Sequence, residues 1–497
     1  MSTRDSSAPK AAGASRTTAI FAILAVATAS FSMLQSLLNP VLPVIQRDLD
    51  TTQAAATWIL TAWLLSAAVT TPLLGRTGDM VGKKRALMVV LAAVALGSLT
   101  CALAPTIGWM LIGRVIQGLG GAVYPLAFGI IRDEFPSARV PSAIGLMSGV
   151  IAVGGGIGTV LAGPIVDALG WRWLFWIPLI VVLMTVIAAT AIVPESPVRQ
   201  GGRINWVAGL LLAGWLVALL LPLSQGAIWG WSSWYVVALF ALACALFVAW
   251  AVVETITANP LVDLRMMRLP IVWPTNLVAL LFGAGMFAVL AFVPQFTQTP
   301  TNTGYGLGAS VTESGLIVLP MLVTMAIAGA VSGAITSRLT FKGQLTLSSI
   351  FGAVGTAGFA VLHSSGAVIA VSCAIFGLGL GMAYAAMTSL IVQGVPTHQT
   401  GVATGMNANI RNIGGALGTA VVSAIVTSTV VAPHVDGSVG AAVTYPSEAG
   451  YTMGFLALTV IGSVAAVVSQ LIPSQTRSTI GPIVADQALY VVPSEGR

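Results

Sequence analysis

Long apolar runs follow one another along almost the whole chain, separated by short polar segments rich in Gly, Pro, Arg and Lys. They fall at 19–44, 54–75, 86–105, 108–131, 141–166, 172–193, 206–224, 233–254, 272–295, 313–336, 344–362, 366–391, 401–430 and 451–473. About twenty residues of helix cross a bilayer core, so each run predicts one membrane-spanning helix and the chain about fourteen. The expected fold class is an all-α polytopic membrane protein.

Composition agrees with that pattern. The 497 residues are 57% hydrophobic and 7% charged, against roughly 25% charged in soluble domains, so water is not the main solvent. No stretch long enough for a separate soluble domain is expected. The first run follows Arg4, Lys10 and Arg16 but is too long for a secretory signal and lacks a small-residue cleavage site. Cys101, Cys244 and Cys373 all lie within apolar runs, which suggests neither a disulfide framework nor a metal site and reads as small core residues.

The net charge of +6 does not point to nucleic acid, because the basic residues form short scattered clusters and no basic face. Their placement gives the topology instead. With the N-terminus inside, Arg76, Lys83, Lys84, Arg85, Arg132, Arg139, Arg199, Arg203, Arg265, Arg268, Arg338 and Lys342 fall on inner connections, and only Arg47 and Arg172 fall outside. This asymmetry predicts an even helix count, with both termini cytoplasmic and the chain in the plasma membrane.

Two longer polar connections, ESPVRQGGRINW and ETITANPLVDLRMMRLP, divide the spans into six, two and six. The expected organisation is a cytoplasmic tail at 1–18, a first bundle at 19–200, two linking helices at 201–258, a second bundle at 259–473 and a cytoplasmic tail at 474–497. A Gly-rich basic loop, GRTGDMVGKKR, joins spans two and three; its counterpart between spans ten and eleven, SGAITSRLTFKG, keeps Gly333, Arg338 and Gly343 but has Ser337 where Asp79 would fall. Two decayed copies at matching places predict two related bundles that alternate access to a midplane site.

Physical reasons single out several residues. Gly75, Gly78 and Gly82 permit a tight turn and close helix approach. Asp79 stands where a carboxylate can meet a helix N-terminus or a neighbouring arginine, contacts made in one conformation and broken in another; Lys83, Lys84 and Arg85 complete this candidate switch loop. In LIGRVIQGLGGAVYP, Arg114 lies well inside an apolar helix, where charge costs roughly 2.5–3.5 kcal/mol, so it is expected to face a cavity or partner, with Gln117 one turn on. Gly118, Gly120 and Gly121 form a close-packing face.

With these motifs in view the sequence resembles the major facilitator superfamily, and within it the fourteen-helix drug:proton antiporters. GRTGDMVGKKR is similar to the superfamily signature between helices two and three, and GRVIQGLGGA to its helix-four signature. WRWLFW opens span six as in those antiporters, and RNIGGALGTA from Arg411 is similar to their helix-thirteen pattern. The resemblance covers 19–473 and implies two six-helix bundles with two extra central helices. It also implies export of small lipophilic drugs or antibiotics by proton antiport. Three departures stand out. Leu34, beside Gln35, replaces the usual helix-one acid before NPVLP (Asn39 to Pro43). The helix-five motif reads Gly158 to Gly163 with Thr159 in place of proline and Pro164 next after it, and the seventh span opens with Asn205-Trp206 in place of Asp-Trp. They leave a facilitator or importer of a small metabolite, without proton coupling, as the alternative.

Candidate substrate contacts on inward-facing helices are Gln35, Trp58, Trp63, Tyr124, Asn276, Gln295, Gln298, Asn407 and Asn412. Trp229, Trp231 and Trp234 read as an interfacial belt. Every acidic residue falls in a tail, connection or span edge, Glu313 and Asp167 being nearest the membrane centre. Arg114 and Arg411 lie inside spans with no acid comparably deep, so the expected substrate is a neutral or anionic lipophilic molecule. The resemblance implies protons as the coupling ion, and the expected working unit is a monomer. No cofactor is expected. No selectivity-filter sequence suggests a channel, no nucleophile-base or metal cluster an enzyme, and no phosphate-binding loop the use of ATP.

Overall fold

Backbone groups in hydrocarbon must bond within their own segment, which a helix does. The computed structural model describes residues 8–38, 41–51, 53–195, 205–257, 260, 262, 264–396, 399–431 and 445–473, and the apolar runs within these are helical. Asn39, Pro40, Arg199, Arg203 and the tail 474–497 lie outside the described residues.

The first half comprises α1 (Ala8–Ser36), α2 (Leu42–Asp48), α3 (Gln53–Val81), α4 (Lys83–Ala102), α5 (Ile107–Gly118), α6 (Val123–Glu134), α7 (Val140–Leu169) and α8 (Trp173–Ile192). Then come α9 (Trp206–Trp229), α10 (Trp234–Ile256) and the single turn α11 (Leu264–Met267). The second half holds α12 (Val272–Gln298), α13 (Val311–Ser332), α14 (Phe341–Val361), α15 (Gly366–Gly394), α16 (Thr400–Val426) and α17 (Glu448–Ser469). Among the described residues the only strands are β1 (Val430–Val431) and β2 (Tyr445–Pro446), which pair antiparallel.

Among the described residues twelve helices are long and apolar enough to cross a membrane, or up to thirteen if bent α7 counts as one span. The run predicted at 401–430 corresponds to α16, which is not among them: Asn407, Asn409, Arg411 and Asn412 lower its hydropathy. The first predicted run divides, because α1 ends at Ser36 and α2 begins at Leu42. Spans four and five are also less regular than predicted. A 3-10 turn, Leu119–Ala122, joins α5 to α6. The Ser142–Gly158 and Leu161–Leu169 segments of α7 meet at 42°, where Pro164 cannot donate to the carbonyl of residue 160.

Among the described residues side chains pack into three apolar clusters. One joins α1 to α8, one joins α12 to α17, and one sets α9 and α10 against α3 and α16. The two halves meet along α3 with α16 and α7 with α13. On α7 a Cβ at Gly145 would lie 2.7 Å from the Gly329 carbonyl and one at Gly149 2.7 Å from that of Ala326, whereas one at Gly163, at the other end of the helix, would meet nothing within 4 Å. The halves are therefore closed against each other at the end that holds Asp79.

Candidate functional site

The predicted switch loop is mostly helix. Residues 75–81 form the last turns of α3, Gly82 alone is non-helical with φ +121°, and Lys83 begins α4. Packing overrides glycine's poor helix propensity here: a Cβ on Gly75 would stand 2.8 Å from the Gly401 carbonyl oxygen of α16. Through this approach the buried Asp79 carboxylate crosses from one half to the other. Its Oδ2 accepts from the Gly401 amide at 3.1 Å and the Val402 amide at 3.3 Å, in the first turn of α16, where the helix dipole favours negative charge.

Around Asp79 the charges are paired. Lys83 Nζ lies 2.7 Å from Asp133 Oδ2 and 3.7 Å from Asp79 Oδ1, and all three groups are almost fully buried. Arg132 reaches across the halves, donating to Thr400 Oγ1 at 2.6 Å and the Val395 carbonyl at 3.0 Å. Lys84 and Arg85 turn towards α8: Glu195 accepts from the Lys84 amide at 3.2 Å and lies 3.4 Å from Arg85 Nε. In the second copy of the motif Ser337, at the place of Asp79, is exposed.

Arg114 is fully buried, as is Gln117. Arg114 donates from Nε to the Ile59 carbonyl at 3.2 Å and from Nη1 to Gln117 Oε1 at 2.7 Å, and Gln117 Nε2 donates to Ser98 Oγ at 2.8 Å. This chain ties α5 to α3 and α4 within the first half. Arg114 does not line the central cavity; it sits over the Trp63 ring, 5.4 Å from the centroid. Trp63 stacks on Phe31, and Phe31 meets Tyr124 edge-on, each at 5.4 Å. Arg114 thus stands at the far end of an aromatic row that reaches the cavity through Tyr124.

The cavity lies between the halves, just beyond the closed end. From the first half Tyr124 and Phe128 of α6 and Ser148 and Ile151 of α7 line it; from the second, Tyr384 and Thr388 of α15 and Thr404, Asn407 and Arg411 of α16. Of the nine predicted substrate contacts, Tyr124 and Asn407 are here, and Asn276 is one hydrogen bond behind, accepting from Asn407 Nδ2 at 2.8 Å. Trp63 is buried within the first half; Gln35, Trp58 and Asn412 are half-buried away from the cavity; Gln295 and Gln298 are exposed. Sequence reasoning placed Arg411 only as a charge inside a span. Its opposite, Tyr384, carries no sequence signal beyond an aromatic in a small-residue helix.

The other motif residues are absorbed by packing. Gly158 lies against α1, where an added Cβ would be 2.7 Å from the Met33 carbonyl, and Ser32 and Ser36 donate to the Ile151 and Gly155 carbonyls at 2.6 and 2.7 Å. Asn205 caps α9 by accepting from the Ala208 amide at 3.1 Å, the service an Asp would give there. Glu313 is exposed and forms a capping box with Ser310, and Asp167 is exposed. Cys244 is exposed rather than core. Asp48 lies outside the long helices and accepts from Trp171 Nε1 at 2.7 Å and Arg172 Nη1 at 3.1 Å. The indole bond first, and the guanidinium with it, holds its carboxyl below the usual carboxylate range.

Two packed helical halves, a cavity between them and charged contacts closing one end define a polytopic membrane transporter. The model of the Major Facilitator Superfamily matches residues 24–207 and 196–419, and the chain belongs to that superfamily. It is 30% identical to the tetracenomycin C resistance and export protein of Streptomyces glaucescens over 78% of this chain and 72% of that one. It is also 30% identical to the multidrug transporter protein MdtP of Bacillus subtilis, over 74% of this chain and 68% of that one. Among solved structures, the human organic anion transporter MFSD10 superposes with TM-score 0.65 at 15% identity, covering 92% of this chain and 99% of that one. The proton:xylose symporter XylE superposes with TM-score 0.64 at 13% identity, covering 93% and 97%. At such identities these two speak for the fold alone.

Proposed function

We propose that this protein is a secondary active exporter of small lipophilic compounds, a drug or antibiotic efflux transporter of the plasma membrane, driven by proton antiport. Both termini and the Asp79 end face the cytoplasm, and the working unit is a monomer with bundles at 19–200 and 259–473 joined by the linking helices at 201–258. The observation that carries this reading is the bond from Asp79 to the first turn of α16. It is a contact between halves that can exist only while this end is closed, beside a cavity lined by aromatic and polar groups. Resistance and export in the name of the Streptomyces glaucescens relative support the direction of transport.

One observation favours a second reading, facilitated passage without proton coupling: among the described residues no carboxylate lines the cavity. Expression in an efflux-deficient host separates the two. Export predicts lower accumulation of lipophilic antibiotics than in the empty host, abolished by a protonophore. A passive facilitator only speeds equilibration, so faster, protonophore-insensitive exchange with no lowering of the steady-state level supports the facilitator, and no lowered accumulation of any compound overturns export.

A further inference from the structure

The central cavity holds one formal charge without a counter-charge. Arg411 of α16 lines it, half-buried, and among the described residues its guanidinium has neither an ion-pair nor a hydrogen-bond partner. The guanidinium carbon stands over the face of the Tyr384 ring, 4.4 Å from its centre. That ring is itself fixed, its hydroxyl donating to Met286 Sδ of α12 at 2.7 Å. Stacking holds the guanidinium plane without using its N–H groups, which stay available to an acceptor.

An unpaired cation deep in a membrane protein is costly, and it persists where function uses it. We propose that Arg411 is the anion-binding residue of the transport cavity and that the preferred substrate is an organic anion, a carboxylate or phenolate on an aromatic body. The planar fork of donors matches a carboxylate or phenolate oxygen. The aromatic body follows from the rest of the lining, for Tyr124, Phe128 and Tyr384 offer ring faces and edges that a small inorganic anion would leave uncovered. Asn407, one turn from Arg411, is held by Asn276 and adds a neutral polar contact. A cationic substrate would meet Arg411 with no compensating acid in the lining. The assignment rests on the exporter reading above and narrows it to one substrate class.

The test uses the full-length purified protein in lipid nanodiscs and three fluorescent probes on one pyrenyl-butyl frame: 1-pyrenebutyrate, the neutral 1-pyrenebutanol and the 4-(1-pyrenyl)butyl trimethylammonium cation. Affinities are measured against protein-free nanodiscs. The wild type should prefer the anion, and Arg411→Gln should lower the anion-to-neutral affinity ratio by roughly tenfold or more, the loss of one charge-assisted hydrogen bond. Ala408→Glu keeps the arginine but sets a carboxylate three residues before it on the same cavity-lining helix, where the two pair. It should abolish the anion preference even if the glutamine variant fails to fold. An unchanged ratio in a folded Arg411→Gln variant, or a wild type that prefers the cation or the neutral probe, overturns the proposal while export stands. A protein that binds none of the probes yet lowers antibiotic accumulation in cells does the same. One that neither binds nor exports overturns the exporter reading itself.

Discussion

Asp79 Oδ2 lies 3.1 Å from the amide nitrogen of Gly401, so a carboxylate of one half caps a helix of the other. Asp79→Asn keeps the volume and removes the charge that faces the helix end. Transport per molecule is expected to fall roughly tenfold or more, the scale of losing a buried charge-assisted bond, while membrane abundance stays near that of the wild type. Initial rates in vesicles, normalised to protein by immunoblot, check it. Full activity of the variant would remove Asp79 from the closing step.

The same pair shows where the sequence could be read and where it could not. The apolar runs announce the helices because hydrophobic length has a direct physical meaning in a bilayer, and GRTGDMVGKKR announces a functional Asp79 at the end of span two. What stayed hidden is which helix end it meets, since the partner amides stand 322 and 323 residues away and any residue can supply an amide. Arg114 and Arg411 illustrate the converse. Both read as charges inside spans, yet one is enclosed by Gln117 and the Ile59 carbonyl and the other faces the cavity. Which direction a helix turns its arginine depends on the packing of its neighbours, and α16 itself falls short of a clear span because its polar face looks into the protein.

Arg114 is held in packed protein by bonds to the Ile59 carbonyl and Gln117. Arg114→Ala leaves those acceptors unsatisfied and opens a void, so the expected cost is about 1–3 kcal/mol of stability. A lowered melting temperature of the purified protein reads it. In a separate arm, Arg114→Cys should resist a water-soluble maleimide that labels Thr404→Cys in the cavity. Rapid labelling at 114 would show that water reaches this position in some state.

Asp48 gives a pH dependence of known sign. Its carboxyl is held below the ordinary value by the Trp171 indole bond and then Arg172, so the folded protein prefers it ionised. The stabilisation is fully present above the unfolded value of about 4 and is lost as pH falls through the folded one. Asp48→Asn should therefore melt below the wild type near neutral pH, and the gap should close under strong acid. A gap that persists unchanged at pH 3 would mean that the asparagine loses packing and not charge.

Gly401 and Gly75 set how closely α3 and α16 can approach at the closed end. A Cβ at 401 would stand 2.8 Å from the Gly75 carbonyl oxygen and 2.9 Å from Asp79 Oδ2. Neither is the tip of a long side chain that can swing aside, since one is backbone and the other is already bonded to the Gly401 amide. Gly401→Ala is therefore expected to oppose closure by about 1–3 kcal/mol, the usual cost of overpacking, which lowers the closed population roughly tenfold. Gly315→Ala is the control, because a Cβ there would meet nothing within 4 Å. With Thr404→Cys as reporter in both backgrounds, an impermeant thiol reagent added from the membrane face that bears Arg132 should label the Gly401→Ala protein faster and the control at the parent rate. Equal labelling in both would show that α3 and α16 close without the bare contact between these two glycines.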